Sequence, residues 1–290
     1  MKCKVCQGDS VSDKYRLDPL IVGQCRDCRS KFVTSDIKDS DLIAMYSSEG
    51  AVDYLATREE RNLVKFERRL REIKRLRGNG VNGLRLLDVG CGVGDFCYAA
   101  ARDGIRAVGI DISGSAIKLA QERYGDHAEY YNVRIEDMVR RTGEAFDIVT
   151  LWDVIEHCRD PLNIISCCRS LMKKGGVICI DTPNCDSLYD KLADVAYRVS
   201  RRIGKRMLKQ RYSTAHLQLW TELTLKKLLS RCDLEVVASE RIRELTMMPS
   251  CYVKAMGANE RTVRLVQSVD EIAERIWPIR NKVLVYAQVN

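Results

Sequence analysis

The sequence predicts an α/β fold: a doubly wound, mostly parallel sheet of seven strands with helices on both faces, preceded by a small cysteine-held segment. Three observations predict it. From residue 84 onward, short apolar runs alternate with helical periodicity, the pattern of strands and crossover helices in a parallel sheet. A glycine loop, Gly90, Gly92 and Gly94, follows the first of those runs, where an open α/β sheet comes closest to its ligand. The first 30 residues hold two matched Cys-x-x-Cys pairs.

The elements follow in chain order. Cys3 and Cys6 are separated by eighteen residues from Cys25 and Cys28. Each pair can form a knuckle on one side of a tetrahedral Zn²⁺, so residues 1–35 are expected to be a zinc ribbon. Four thiolates leave no open coordination position, so such a zinc is structural and holds together a segment too small for its own core. Paired disulfides or a redox Cys-x-x-Cys are the alternatives. The other nine cysteines (Cys91, Cys97, Cys158, Cys167, Cys168, Cys179, Cys185, Cys232 and Cys251) fall in apparent core elements. That fits a reducing compartment, where cysteine acts as a small hydrophobe.

Residues 36–80 read as a helical linker or cap. Between Arg58 and Arg77, Leu63, Phe66, Leu70 and Ile73 recur at helical steps, which predicts an amphipathic helix with its basic side outward. Gly78-Asn79-Gly80 and Asn82-Gly83 then break the chain before a main domain over 81–290. Strands are expected at 84–90, 107–112, 128–134, 146–152, 176–181, 234–240 and 282–289, with helices at 114–124 and 161–173. Two insertions interrupt this pattern. In 186–215, Leu188, Leu192, Val195 and Val199 have helical spacing, opposite Arg198, Arg201, Arg202, Lys205, Arg206, Lys209 and Arg211. The second, 241–277, receives no role.

Composition, 46% hydrophobic and 30% charged, is that of a soluble globular protein. No run of about 18 apolar residues suggests a membrane span, and Met1-Lys2-Cys3-Lys4 leads into no signal-like apolar stretch, so the expected compartment is the cytoplasm. The net charge of +8 is concentrated: residues 58–77 carry nine Lys/Arg against four Asp/Glu, and 198–211 carry seven against none. Any anionic partner is therefore met locally.

Charge also identifies the ligand of the glycine loop. A pyrophosphate docks on helix N–H groups with no carboxylate beside it, yet Asp88 stands two residues before Gly90. The spacing is Gly-x-Gly-x-Gly, with Asp95 where a dinucleotide fingerprint needs a third, later glycine. A cationic ligand without phosphate fits, and S-adenosylmethionine is one. Asp111 ends the second strand seventeen residues after Gly94, where a carboxylate can bind two vicinal ribose hydroxyls. The stretches "LLDVGCGVGDF", "VGIDIS", "FDIVTLWDVIEH" and "LMKKGGVICIDTPN", in that order, resemble the motifs of class I S-adenosylmethionine-dependent methyltransferases over roughly residues 84–185. The resemblance implies a Rossmann-like fold with Asp88 near the methionine end, Gly90, Gly92 and Gly94 under the cofactor, and Asp111 on the ribose. It also implies Ile112 against adenine and the Arg134-Ile135-Glu136 turn beside the adenine edge. The cysteine-rich N-terminal segment is similar to that of bacterial methyltransferases of sugar, natural-product and polysaccharide pathways, although "CRDCRS" lacks their usual glycine.

Methyl transfer to oxygen is an in-line displacement, in which the enzyme aligns the acceptor and removes its proton. Asp153, Glu156 and His157 stand at i, i+3 and i+4, so on a turn of helix they share one face and could bind a divalent metal such as Mg²⁺. The stretch resembles the Glu-x-x-Glu-His segment of ubiquinone-pathway O-methyltransferases, with Asp153 in place of the first Glu. His157 has three readings: general base or acceptor orienter, metal ligand, or structural residue. Trp152 is expected to pack against cofactor or acceptor, His216 to contact the acceptor or pack, and His127 to lie on the surface. By its position in the family, 186–215 is expected to be a lid over the acceptor, its basic face suited to an anionic substrate or membrane surface.

The leading expectation is thus O-methylation of a small molecule, lipid-linked sugar or glycan precursor. An RNA- or protein-modifying methyltransferase, or a non-catalytic cofactor-binding module, is the alternative. Nucleic acid is disfavoured: strand four ends in Leu151-Trp152-Asp153 rather than the Pro-Pro-aromatic loop used on flipped bases, and the basic residues lack aromatic interleaving apart from Tyr197 and Tyr212.

Overall fold

The computed structural model describes residues 1–46, 48, 59–77, 80–141, 143, 145–212, 216–242, 259–276 and 280–289. Its larger sheet contains the seven expected strands: β4 (Arg85–Val89), β5 (Arg106–Asp111), β6 (Glu129–Asn132), β7 (Phe146–Trp152), β8 (Met172–Pro183), β10 (Leu234–Ile242) and β11 (Lys282–Val289). Their order is β10-β11-β8-β7-β4-β5-β6. The five from β4 to β8 run parallel, and β11 is antiparallel to both β8 and β10.

Both faces of this sheet are covered, so its strands alternate between two apolar layers rather than between core and solvent. Leu87, Val149, Ile178 and Ile180 join one cluster with Ile165 and Leu228. Leu86, Ile148, Val177 and Cys179 join the other with Phe66, Leu70 and Phe96. The helices that supply these layers are α2 (Glu59–Arg77), α3 (Asp95–Arg102), α4 (Gly114–Tyr124), α5 (Ile135–Arg141), α6 (Pro161–Ser170) and α9 (Glu222–Ser230), with α1 (Asp39–Tyr46) preceding them. Local signals start several of them. Asp160 accepts from Asn163 N at 3.1 Å ahead of Pro161, and Thr221 and Thr224 form a reciprocal capping box.

The small sheet consists of β1 (Val11–Arg16), β2 (Ile21–Cys25), β3 (Lys31–Val33) and β9 (Gln218–Leu219), all antiparallel. Two knuckles flank it, built alike: Gln7 N donates to Cys3 O at 2.9 Å and Arg29 N to Cys25 O at 3.0 Å. Gln7 and Arg29 occupy the left-handed region, with φ of 63° and 65°. The position where "CRDCRS" lacks glycine is therefore a turn that Arg29 makes at some cost in strain.

Two expectations about helices need correction. Phe66, Leu70 and Ile73 of α2 are buried as expected, but the basic side is not wholly outward: Arg69 is 3% exposed, and Lys65 turns inward as well, at 18% side-chain exposure. The fully buried Asp181, paired with both, draws them in. In the first insertion, α7 (Leu188–Val199) and α8 (Arg201–Arg211) pack on β1–β3, with Ala193, Leu208 and Tyr212 against Tyr15, Leu17 and Val22. Leu192, Val195 and Val199, the stripe that helical spacing marks as apolar, are exposed at 54%, 56% and 84%. The buried side of α7 is instead set by Ala193 and by polar contacts to the ribbon, Asp194 with the Tyr15 hydroxyl at 3.0 Å and Tyr197 with Arg16 N at 3.0 Å. Within 241–277, the structure describes Arg241, Ile242 and 259–276, the last carrying α10 (Glu260–Ile276). Residues 243–258 and 277, including Cys251, lie outside the described residues.

Candidate active site

The glycine loop curls over the carboxyl end of β5: Gly90 N and Cys91 N both donate to Ile110 O, at 2.8 and 3.0 Å. Gly90, Gly92 and Gly94 have φ of 74°, 54° and 87°, a region that costs an L-residue strain and glycine none. A Cβ on Gly90 would also sit 2.5 Å from Val154 Cγ2. The loop thus touches the segment after β7, and the two halves of the site meet there. Asp111 accepts from Gly92 N at 2.9 Å and Ser113 N at 2.8 Å, one on each oxygen. Each oxygen keeps lone-pair capacity, which suits a pair of hydroxyls. Burial raises its pKa against those hydrogen bonds.

Ile112 is exposed beside Asp111, at 37%. Arg134 is exposed, whereas Ile135 is 3% exposed and part of the core cluster. Only the backbone of Ile135 is then available to a ligand. Asp88, at 1% exposure, accepts from Thr150 Oγ1 at 2.7 Å. Burial, joined by the Asp111 charge, pushes its carboxyl up to about 7. Such a carboxyl gains from a cation at the loop, which would favour its ionised form. Trp152 is 8% exposed and packs on Phe66 and Phe96, centroids 6.0 and 4.9 Å away. Its Nε1 has no hydrogen-bond partner among the described residues.

Asp153, Glu156 and His157 do not share a helical face. Asp153 precedes the 3-10 turn Ile155–His157 and has φ 56°. Its carboxylate is taken by Lys282 Nζ at 2.5 Å, with Lys65 Nζ at 3.5 Å. Asp181, fully buried at the end of β8, shares Lys282 at 2.6 Å and Arg69 at 3.1 Å. Lys282 and then Lys65 hold Asp153, whose side chain is 44% exposed, well below the usual carboxylate range. This network of two acids and three bases unites α2, β7, β8 and β11 at one end of the sheet. Lys65, Arg69, Asp181 and Lys282 did not stand out as site residues in the sequence. A lysine heading an apolar strand and an aspartate inside "VICIDTP" were the available signals.

The structure groups Glu156 and His157 with His216 instead. One ligand-capable atom from each lies within 4.8 Å of the others, and the two imidazole centroids are 5.0 Å apart. Glu156 is 1% exposed; its Oε2 accepts from Thr182 Oγ1 at 2.8 Å, while Oε1 lies 3.9 Å from His157 Nε2. Burial and the Asp153 charge push its carboxyl up to about 7. His216 Nδ1 is 3.0 Å from Arg211 O. A carbonyl only accepts, so Nδ1 carries the hydrogen and Nε2 the lone pair. Burial and His157 lower its pKa, leaving it a neutral base near pH 7. His127 is exposed, its ring 5.2 Å from Tyr98, away from this cluster.

Cys3, Cys6, Cys25 and Cys28 also converge, all four thiols within 4.8 Å of one another and none in a disulfide. The Cys3–Cys28 and Cys6–Cys25 sulfur separations are 3.5 and 3.6 Å. A tetrahedral ion with sulfur ligands at about 2.3 Å requires about 3.8 Å, so the four thiols fit a zinc ion.

Comparison with known proteins agrees with this geometry. A family model described as "Methyltransferase domain" matches residues 57–239. The "Ubiquinone biosynthesis O-methyltransferase" of Pasteurella multocida is 36% identical over 118 residues, 37% of this chain and 49% of that protein. That of Paracidovorax citrulli is 35% identical over 127 residues, covering 40% and 53%. The chain spans about half the length of these curated relatives. Among solved structures, magnesium protoporphyrin IX methyltransferase from Synechocystis PCC 6803 with bound S-adenosylhomocysteine superposes with a TM-score of 0.55 at 15% identity, over 87% of this chain and all of that one. A SAM-dependent methyltransferase from Archaeoglobus fulgidus gives 0.52 at 22% identity, over 81% and 99%. These two show the fold. With the glycine loop and Asp111 at the strand ends and the family match over more than half of its length, the chain belongs to the methyltransferase-domain family, its main domain being of the class I, S-adenosylmethionine-dependent kind.

Proposed function

We propose that the chain transfers the methyl group of S-adenosylmethionine to a hydroxyl of a small molecule, lipid-linked sugar or glycan precursor. The observation that carries this reading is the Glu156–His157–His216 cluster, placed just beyond β7, where Val154 meets the Gly90 loop. Asp88, the three glycines, Asp111 and Ile112 would hold the cofactor. The acceptor oxygen attacks the methyl carbon as the carbon–sulfur bond breaks, and S-adenosylhomocysteine leaves. His216 Nε2 takes the hydroxyl proton, and Glu156 beside it stabilises the imidazolium. The names of the curated relatives support oxygen as the acceptor atom. The four cysteines would hold a structural zinc.

A divalent ion shared by Asp153, Glu156 and His157 does not fit, because Lys282 neutralises Asp153. A carboxylate with two imidazoles would take zinc, iron or manganese in preference to Mg²⁺. The exposed Leu192, Val195, Val199 and Ile203 lie among exposed Arg198, Arg201, Arg202, Arg206 and Lys209. Exposed apolar and cationic residues on this helix pair suit an acceptor presented at an anionic membrane surface. Among the described residues, no helix is long and apolar enough to cross a membrane.

The test combines metal analysis with transfer of labelled methyl to host-extract acceptors. One zinc per chain, with His216→Ala lowering transfer about 100-fold at unchanged cofactor affinity, is the expected result. A second bound ion that His216→Ala removes would replace the base with a metal-assisted reaction.

A further inference from the structure

We propose that the cysteine-held ribbon is the positioning element for the acceptor side of the site, setting His216 against Glu156 and His157. The inference rests on the assignment of that cluster to the acceptor side. A chain of short backbone contacts carries it. β3 of the ribbon pairs with β9, Lys31 opposite Leu219 and Phe32 opposite Gln218. Val33 N donates to Leu217 O at 2.7 Å, and Leu217 N donates to Glu156 O at 2.9 Å. Gln218 Nε2 adds a bond to Cys158 O at 3.0 Å. One residue, Leu217, therefore links the ribbon edge to the backbone of the candidate catalytic turn, and His216 is its neighbour.

The other anchor of His216 is backed by the ribbon too. The ring bonds to the carbonyl of Arg211, whose guanidinium is clamped by both Asp190 oxygens at 3.0 Å. Tyr212, next in sequence, is 2% exposed and stacks at a tilt on Tyr15 of β1, centroids 5.9 Å apart. Residues 213–215 lie outside the described residues. A two-residue strand is too short to hold its own register. β9 is ordered because β3 is beside it, and a segment of this size depends on its metal or cross-links for order. The cofactor side is anchored elsewhere, through Ile110 and Asp111 of β5.

The chain contains three histidines, which makes the test specific. Full-length protein labelled with ¹⁵N-histidine is compared zinc-loaded and zinc-stripped, its ring-nitrogen signals assigned with His→Gln variants. Cofactor affinity is measured in parallel by calorimetry, with Asp111→Ala as the control that loses it. The His216 and His157 signals should shift and broaden on stripping, His127 should stay, cofactor affinity should persist, and added zinc should restore the spectrum. Val33→Pro, which removes the N–H to Leu217 while keeping all four cysteines, should move His216 with zinc still bound, and Val33→Ile should not. An unmoved His216 in zinc-bound Val33→Pro would overturn the proposal. So would loss of cofactor affinity together with a shifted His127, because the ribbon would then support the whole domain. Neither readout depends on methyl transfer, so failure of the O-methyltransferase reading would be seen separately.

Discussion

Glu156 is buried with one oxygen satisfied by Thr182 and the other facing His157, so its protonation state is coupled to folding. Its carboxyl titrates near 7 rather than at the ordinary 4.5. The folded chain therefore holds a proton that the unfolded chain releases between those values, and stability falls as pH rises through that window. Glu156→Gln removes the linkage. Its melting temperature should match wild type near pH 5 and exceed it near pH 8, by the equivalent of about 1–3 kcal/mol. Calorimetry at the two pH values checks this, and an equal gap at both would contradict it. At this scale the sequence was informative where one residue type has one backbone use: Gly90, Gly92 and Gly94 were readable because only glycine takes those angles cheaply. The partnership of Asp153 was not. Spacing on an assumed helix placed it with Glu156 and His157, but a left-handed φ ahead of the short turn and the distant Lys282 redirect it.

Among elements, the largely buried network at the ends of β7 and β8 and the start of β11 joins the sheet to α2. Paired buried charges contribute little net stability, but removing one partner strands the other in a medium that solvates it poorly. Lys282 serves Asp153 and Asp181 at once. Lys282→Met should therefore destabilise the fold by about 3–5 kcal/mol, measured by denaturant unfolding. A loss under about 1 kcal/mol would show that Arg69 and Lys65 suffice. Helix identity was legible from apolar periodicity, and Phe66, Leu70 and Ile73 face inward as it indicates. Helix orientation was not always so. Arg69 is buried because Asp181 awaits it, and Leu192, Val195 and Val199 are exposed because polar contacts to the ribbon turn α7 the other way.

At the scale of the whole molecule, the half proposed to receive the cofactor is nearly local in sequence, with the loop and Asp111 inside 86–111. Four ordered motifs could therefore reveal it. The proposed acceptor half is assembled from residues 33, 156–158, 211, 212 and 216–219, contacts so distant that no periodicity encodes them. The central claim is that a hydroxyl is methylated at that half. The direct measurement is to incubate the full chain with methyl-labelled S-adenosylmethionine and host extract, then separate small-molecule, lipid, polysaccharide, RNA and protein fractions. The account predicts label in one of the first three, in an oxygen-linked methyl group, and its loss in His216→Ala. Label in RNA or protein, or none while the cofactor is measurably bound, would contradict it.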